Sequence, residues 1–305
     1  VGSEMCIRDS FYIFYSMFGL QRIGDLAWAA GDIQARGFLI GGTAGRTTLA
    51  GEGLQHQDGH GSLLASTIPN CVAYDATFNY ELAVIVHDGL RRMFLNKENI
   101  FFYITVMNEN YAHPKMPDGV EDDILKGMYI FKRAKHSRKQ TPRVQLLGSG
   151  TILRESLAAA DMLEKDFGIL SDVWSVTSFN ELAREGRHKA RWNLLHPKDE
   201  PKMGHVEKCL KDMVGPVVAA SDYVRNYAEQ IREFVTGSYY VLGTDGFGRS
   251  GTRKQLRSFF EVDRRYIVLT AIKALAVEQS LPTSVISDVI EKYSIDSEKI
   301  NPIEA

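Results

Sequence analysis

Apolar residues recur along this chain in two alternating rhythms. Phe11 to Met17 (FYIFYSM) is an aromatic-rich alternating run and predicts a buried strand. Leu20, Ile23, Leu26, Ala27 and Ala30 then return at helical spacing, predicting a helix over Gly19 to Ala35. Phe38 to Ile40 and Cys71 to Tyr74 read as short strands. Tyr80 to Phe94 reads as a helix with Leu82, Val86 and Leu90 on one face, and Ile100 to Val106 as a strand buried on both faces. The polar, basic stretch Lys132 to Arg143 (KRAKHSRKQTPR) breaks the pattern and is read as a solvated linker. The alternation then repeats with strand Val144 to Leu147, helix Ile152 to Phe167, strand Asp172 to Thr177 and helix Asn180 to Glu185. Strands near Pro216 to Ala220 and Tyr239 to Leu242 follow, and two helices close the chain. Such alternation predicts an α/β protein of mostly parallel sheets flanked by helices, with units at residues 11–131 and 144–305 joined by 132–143.

Length and composition fit this picture. At 305 residues the chain can hold two ordinary domains, and 44% hydrophobic with 24% charged residues is the balance of a globular protein. A net charge of −2 gives no electrostatic reason to expect nucleic acid or an acidic membrane as partner. No apolar run approaches membrane-spanning length. Cys6, Cys71 and Cys209 form neither a CxxC pair nor a disulfide framework, which points to a reducing, cytoplasmic setting. Residues 1–10 (VGSEMCIRDS) lack the apolar core of a secretory signal and are read as foreign to the fold.

Candidate chemistry concentrates in Gly41 to Gly61, GGTAGRTTLAGEGLQHQDGHG, where seven glycines surround Arg46, Glu52, His56, Asp58 and His60. Glycine has no side chain to pack, so this is a loop, and a long loop carrying titratable groups is the kind that surrounds a ligand. His56 and His60 lie four apart, but flanking glycines disfavour the helix that would put both rings on one metal, and no metal site is assigned. No phosphate-binding GxxxxGK[ST] pattern occurs. GTDGFGRSGTR at Gly243 to Arg253 is read as a turn stabilised by Asp245 and its glycines.

Phe11 to His60 is followed by TIPNCVAYDATFNYELAVIVHDGLRRM, MNENY at Met107 to Tyr111, LLGSGTILRE, SDVWSVTSFNELAREG and VLGTDGFGRS. In that order these segments closely resemble the single-chain, homodimeric pyruvate dehydrogenase family, a transketolase-like branch of the thiamine diphosphate enzymes. The resemblance runs from Phe11 to Ala305. It implies a truncated pyrimidine-binding domain followed by a transketolase-like C-terminal domain, with Gly243 to Arg253 shaping a domain interface.

By the same resemblance, His56 lies near the reactive carbon of thiamine diphosphate, where imidazole suits proton exchange. Glu52 would be a buried carboxylate of the active-site network. Tyr15 and Phe18 would face the thiamine pyrimidine and the substrate side of the pocket, where a dry apolar wall favours decarboxylation. Arg22 would belong to the same network. The family's glutamate that protonates the pyrimidine, and its GDG…N motif for Mg²⁺ and the diphosphate, lie in segments this chain does not contain. The expectation is a fragment, inactive alone, of an enzyme that decarboxylates pyruvate and passes the acetyl group to a lipoyl-bearing acyltransferase. Two alternatives stay open: a noncatalytic oligomerisation module, and a partner chain for a separate cofactor-binding subunit.

Overall fold

The computed structural model describes residues 10–51, 53, 55–134 and 141–305. In chain order, the first domain contains β1 (Ser10–Tyr15), α1 (Leu20–Asp32), β2 (Gly37–Gly42), α2 (Gly61–Ser66), β3 (Cys71–Asp75), α3 (Asn79–Leu90), β4 (Phe101–Thr105) and α4 (Glu121–Lys126). The second contains β5 (Met128–Lys132), β6 (Arg143–Ser149), α5 (Leu153–Phe167), β7 (Leu170–Val176), α6 (Phe179–Leu195), α7 (His205–Leu210), β8 (Val217–Ala220), α8 (Asn226–Glu229) and β9 (Tyr239–Leu242). Helices α9 (Arg253–Phe259), α10 (Arg264–Val277) and α11 (Ser284–Lys292) follow.

Four parallel strands form the first sheet in the order β1-β2-β4-β3. Side chains alternate across a strand, so β4 feeds two cores: Phe102 and Ile104 pack with Ile85 of α3, while Phe101 and Tyr103 pack with Leu20 and Ala27 of α1 and Ala65 of α2. The second sheet runs β5-β7-β6-β8-β9, parallel except for β5. The same alternation sends Val144 and Leu146 of β6 against α5 and α10, and Leu147 against α6 and α7.

Several expectations need correction. The boundary drawn at residue 131 is wrong, because Met128–Lys132 pairs antiparallel with β7 in the second sheet. Gly127, at φ 112°, ends α4 in a left-handed conformation and turns the chain straight into that strand. Of the presumed linker only its end residues, Lys132 and Arg143, are strand, and its centre, residues 135–140, lies outside the described residues. Among the described residues the expected buried strand at Phe11 is an edge strand bonded only to β2, with Phe11, Tyr12 and Ile13 each more than half exposed. Helix α6 runs ten residues beyond Glu185, to Leu195. The segment RHKARWNLL carries it, since Arg, Lys, Ala and Leu favour helix without an apolar face. Three helices, not two, close the chain. The helix expected at Tyr80 to Phe94 ends in a π-helical turn, Arg91–Leu95.

Buried polar groups join the domains. Glu81 is fully buried; its Oε2 accepts from Thr77 N at 2.6 Å and Phe78 N at 2.9 Å. Its Oε1 accepts from Tyr129 at 2.7 Å and Ser175 at 2.6 Å, both in the second sheet. Asp75 at the end of β3 accepts from Thr105 at 2.7 Å, Ser149 at 2.8 Å and Tyr223 at 3.4 Å. Removing the Glu81 acceptor would strand donors from both domains, each costing about 1–3 kcal/mol. Glu81→Ala should therefore lower stability by roughly 3 kcal/mol or more, and Glu81→Gln by less. Urea unfolding checks this; a loss under about 1 kcal/mol for the alanine variant would contradict the bridging role.

Candidate functional site

Strand adjacency brings together residues far apart in sequence. β1 and β2 are in register with Tyr15 opposite Gly42, so the turn after β1 and the glycine-rich loop after β2 emerge side by side at the C-terminal ends of parallel strands. A 3₁₀ turn, Ser16–Phe18, presents Phe18 beside Tyr15. Their ring centroids are 5.9 Å apart. His56 closes the group, 5.8 Å from Tyr15 and 5.3 Å edge-on to Phe18. The Arg22 guanidinium lies 4.2 Å from the Phe18 ring centroid, in cation–π contact. Tyr15, Phe18, Arg22 and His56 are thus one cluster, whereas Glu52 lies outside the described residues.

Polar contacts give the loop its shape. Asp58 is buried, its Oδ2 accepting from Ser16 and its Oδ1 from the backbone N–H of His60 at 3.0 Å and Gly61 at 2.9 Å. Ser16 also bonds the Tyr103 hydroxyl at 2.8 Å. The loop is therefore tied to the turn that carries Tyr15 and Phe18. A Cβ on Gly61 would lie 2.5 Å from Asp58 Oδ2 and 2.7 Å from the Tyr103 hydroxyl, so glycine permits this close approach. His60 turns toward α1, where Nε2 meets Gln21 Oε1 at 2.6 Å, and it does not join the aromatic cluster. Among the described residues no group of three or more His, Cys, Asp or Glu is arranged to hold a metal.

The second domain grips the same loop from the other side. Gln57, fully buried, accepts from Arg249 N at 2.7 Å and donates to Arg249 O at 2.8 Å. Gly51 N donates to Gly251 O at 3.0 Å and Val224 N to Gly59 O at 2.8 Å. GTDGFGRSGTR therefore lies at the domain interface, as expected, and it also walls a cavity. About 840 Å³ in volume, the cavity is lined by Gly53, Gln55, His56, Arg249 and Ser250, with Phe247 at 76% exposure. Ser16, Gln57 and Arg249 were not singled out from sequence, and Asp58 was named within the loop without its anchoring role. The signals available were weak: a lone serine ending an aromatic run, and an aspartate between two histidines.

Burial perturbs the acids beneath the loop. Asp222 accepts from Thr47 N at 3.1 Å, and desolvation pushes its carboxyl up to about 7 against the pull of Arg257. Gly45, at φ 86°, lets the backbone pass over this carboxylate. Desolvation likewise pushes Asp75 up to about 6, against its hydrogen bonds from Thr105, Ser149 and Tyr223. Burial also pushes Arg46 down from the usual arginine value, opposed by Asp58 and Asp222.

Unfolded aspartates ionise near about pH 4. Between there and about 7 the folded chain holds protons that the unfolded chain has released, so the stabilisation from Asp75 and Asp222 is complete at low pH and is lost as pH rises through 6 to 7. Other groups titrate nearby, and buried His205, with its pKa lowered by desolvation, contributes with opposite sign. A variant comparison isolates Asp222. Asp222→Asn should lose less melting temperature than the parent between about pH 5 and pH 8; parallel curves in calorimetry would contradict the raised pKa.

Residues 5–114 match the family described as Pyruvate dehydrogenase E1 component middle domain. Residues 127–263 match the Transketolase-like TK C-terminal domain. The chain is 60% identical over 293 residues to the pyruvate dehydrogenase E1 component of Cupriavidus necator, and 61% identical over 295 residues to that of Pseudomonas aeruginosa. It is 54% identical over 294 residues to that of Escherichia coli K12. Each comparison covers 96% of this chain and 33% of the relative, so the chain spans about a third of the length of these curated relatives. Solved transketolases share the fold. That of Campylobacter jejuni has a TM-score of 0.62 at 17% identity, covering 86% of this chain and 35% of its own. One of Pichia stipitis scores 0.65 at 14% identity, with coverage of 88% and 34%.

Proposed function

We propose that this chain, which belongs to the pyruvate dehydrogenase E1 family, supplies the pyrimidine-facing wall and a proton-transfer group of a site that decarboxylates pyruvate on thiamine diphosphate. The observation that carries this reading is the convergence of the Tyr15, Phe18 and His56 rings within 5.9 Å of one another, beside a large cavity. An open aromatic wall of this kind fits a flat heteroaromatic ring. High identity to E1 components along nearly the whole chain favours this reading over a noncatalytic oligomerisation module or a partner subunit.

Thiamine diphosphate, when bound, supplies the nucleophilic carbon and the electron sink that decarboxylation of a 2-oxo acid requires. The residues of this chain do the rest of what is assigned here. Phe18 and Tyr15 would hold the pyrimidine and keep water from the substrate's carboxylate. Arg22 holds the Phe18 ring through its cation–π contact. An imidazole nitrogen of His56 exchanges a proton with the substrate's carbonyl oxygen. Glu52 is assigned to the same network on its sequence position alone. Mg²⁺ and the diphosphate are assigned to the part of the longer relatives that this chain does not span. In the whole protein we further assign a cytoplasmic homodimer that passes its acetyl group to a lipoyl-bearing acyltransferase component. No helix among the described residues is long and apolar enough to cross a membrane.

Kinetics on a full-length protein carrying this sequence test the assignment. Loss of a general acid–base group typically costs about a hundredfold to ten-thousandfold in rate. His56→Ala should therefore depress turnover strongly while leaving cofactor affinity within a few-fold, and His60→Ala, turned toward α1, should act more mildly. Near-normal turnover for His56→Ala would reduce this histidine to bracing the loop.

The 305-residue chain by itself should be inactive and should bind thiamine diphosphate with Mg²⁺ weakly or not at all. Micromolar binding by calorimetry would sink that expectation.

A further inference from the structure

A second cavity opens between the domains and shares no lining residue with the one beside His56. Its volume is about 590 Å³, and charge lines it. Arg253, Lys254 and Arg257 of α9 and Arg264 and Arg265 of α10 meet three carboxylates there, leaving two more cations than anions.

The carboxylates are already committed. Glu109 is bonded by Arg257 and by Arg154 at 2.8 Å. Glu155 accepts from Arg264 Nε at 2.8 Å and Nη2 at 3.1 Å. Asp263 is paired with Arg265 at 2.7 Å and caps α10. The excess charge falls on Arg253 and Lys254. Among the described residues Arg253 donates only to uncharged carbonyl oxygens, Thr48 O at 2.7 Å and Asn108 O at 3.0 Å. Lys254, exposed at the rim, makes no ion pair among the described residues.

We propose that this interdomain pocket binds a phosphate-bearing small molecule, a phosphate monoester or a diphosphate. A phosphate monoester carries close to two negative charges at neutral pH, matching the two uncompensated cations. The guanidinium fork of Arg253 is already fixed by its carbonyl contacts, so little order is lost on bidentate phosphate contact. Walls of paired charge with a net positive field draw anions into the cleft. The volume is that of a small-molecule site, larger than inorganic phosphate needs. Concavity favours such a ligand over the flatter face of an acidic protein. The pocket also touches the glycine-rich loop at its root, since Arg257 Nε donates to Thr47 Oγ1 at 3.3 Å and Arg253 to Thr48 O.

Calorimetric titration of the chain with pyrophosphate, and separately with inorganic phosphate, tests the assignment. One pyrophosphate per chain should bind, more tightly than inorganic phosphate and more weakly as salt rises. Lys254→Glu, a reversal at an exposed and unpaired position, should weaken binding about tenfold or more without shifting the melting temperature. Arg253→Met should weaken it similarly, and His56→Ala should leave it unchanged, which separates this pocket from the proposed thiamine site. Absence of binding, or affinity indifferent to Lys254→Glu and Arg253→Met, would overturn the proposal. So would tighter binding of poly-glutamate than of pyrophosphate, which would make the pocket a docking point for an acidic protein.

Discussion

Two buried carboxylates at the domain joint, Asp75 and Glu81, set the geometry on which the rest of the molecule depends. Neither has access to water, and desolvation pushes both pKa values up, so their burial is unfavourable unless donors surround them. Those donors come from both domains: Thr105, Thr77 and Phe78 from one, Ser149, Ser175, Tyr129 and Tyr223 from the other. A satisfied network of this kind tolerates little sliding, because a displaced donor leaves a buried polar group unpaired. Apolar packing alone would allow several docking angles; these hydrogen bonds select one.

The relative placement of the domains then decides the form of the glycine-rich loop. A segment with seven glycines has high backbone entropy and almost no apolar surface to bury. Its order comes from polar anchors on two sides: Asp58 to Ser16 and the following helix on one, Gln57 to Arg249 on the other. His56 sits just before both anchors. A shift of the second domain would move Arg249, release Gln57 and carry the imidazole away from Tyr15 and Phe18. Stability at the joint and geometry at the candidate site are thus one constraint.

Much of this fold was legible where packing writes itself into periodicity. β4 is a continuous apolar run because it is buried on both faces, and β9 lies at the residues read for it, Tyr239–Leu242. Periodicity says nothing about which sheet a strand joins, so Met128–Lys132 was given to the wrong domain; the left-handed turn at Gly127 was the available cue. Nor does it separate edge from centre, so the exposure of β1 was missed. Tyr15, Phe18, Arg22 and His56 were gathered through family resemblance, since residues on neighbouring strands carry no shared spacing. Ser16, Gln57 and Arg249 escaped, and Asp58 was named without its partners, because a long-range polar pair leaves no periodic trace.

Among the described residues the second domain adds no ring to the Tyr15, Phe18 and His56 contacts, yet its Phe247, Gly248, Arg249 and Ser250 line the His56 cavity. Its contribution runs through the backbone of Arg249, whose N–H and carbonyl both engage the Gln57 amide, leaving the guanidinium to lie over Phe259. A side-chain substitution at Arg249 therefore spares the anchor itself, whereas any change that alters the backbone of Gly246–Ser250 reaches the imidazole directly. Gly246 adopts φ 100° close to the Pro302 carbonyl, an approach that a Cβ would not permit. Shape at the candidate site is inherited from backbone conformation more than from side-chain identity, and that is why a glycine-rich turn in the other domain belongs to the physics of His56.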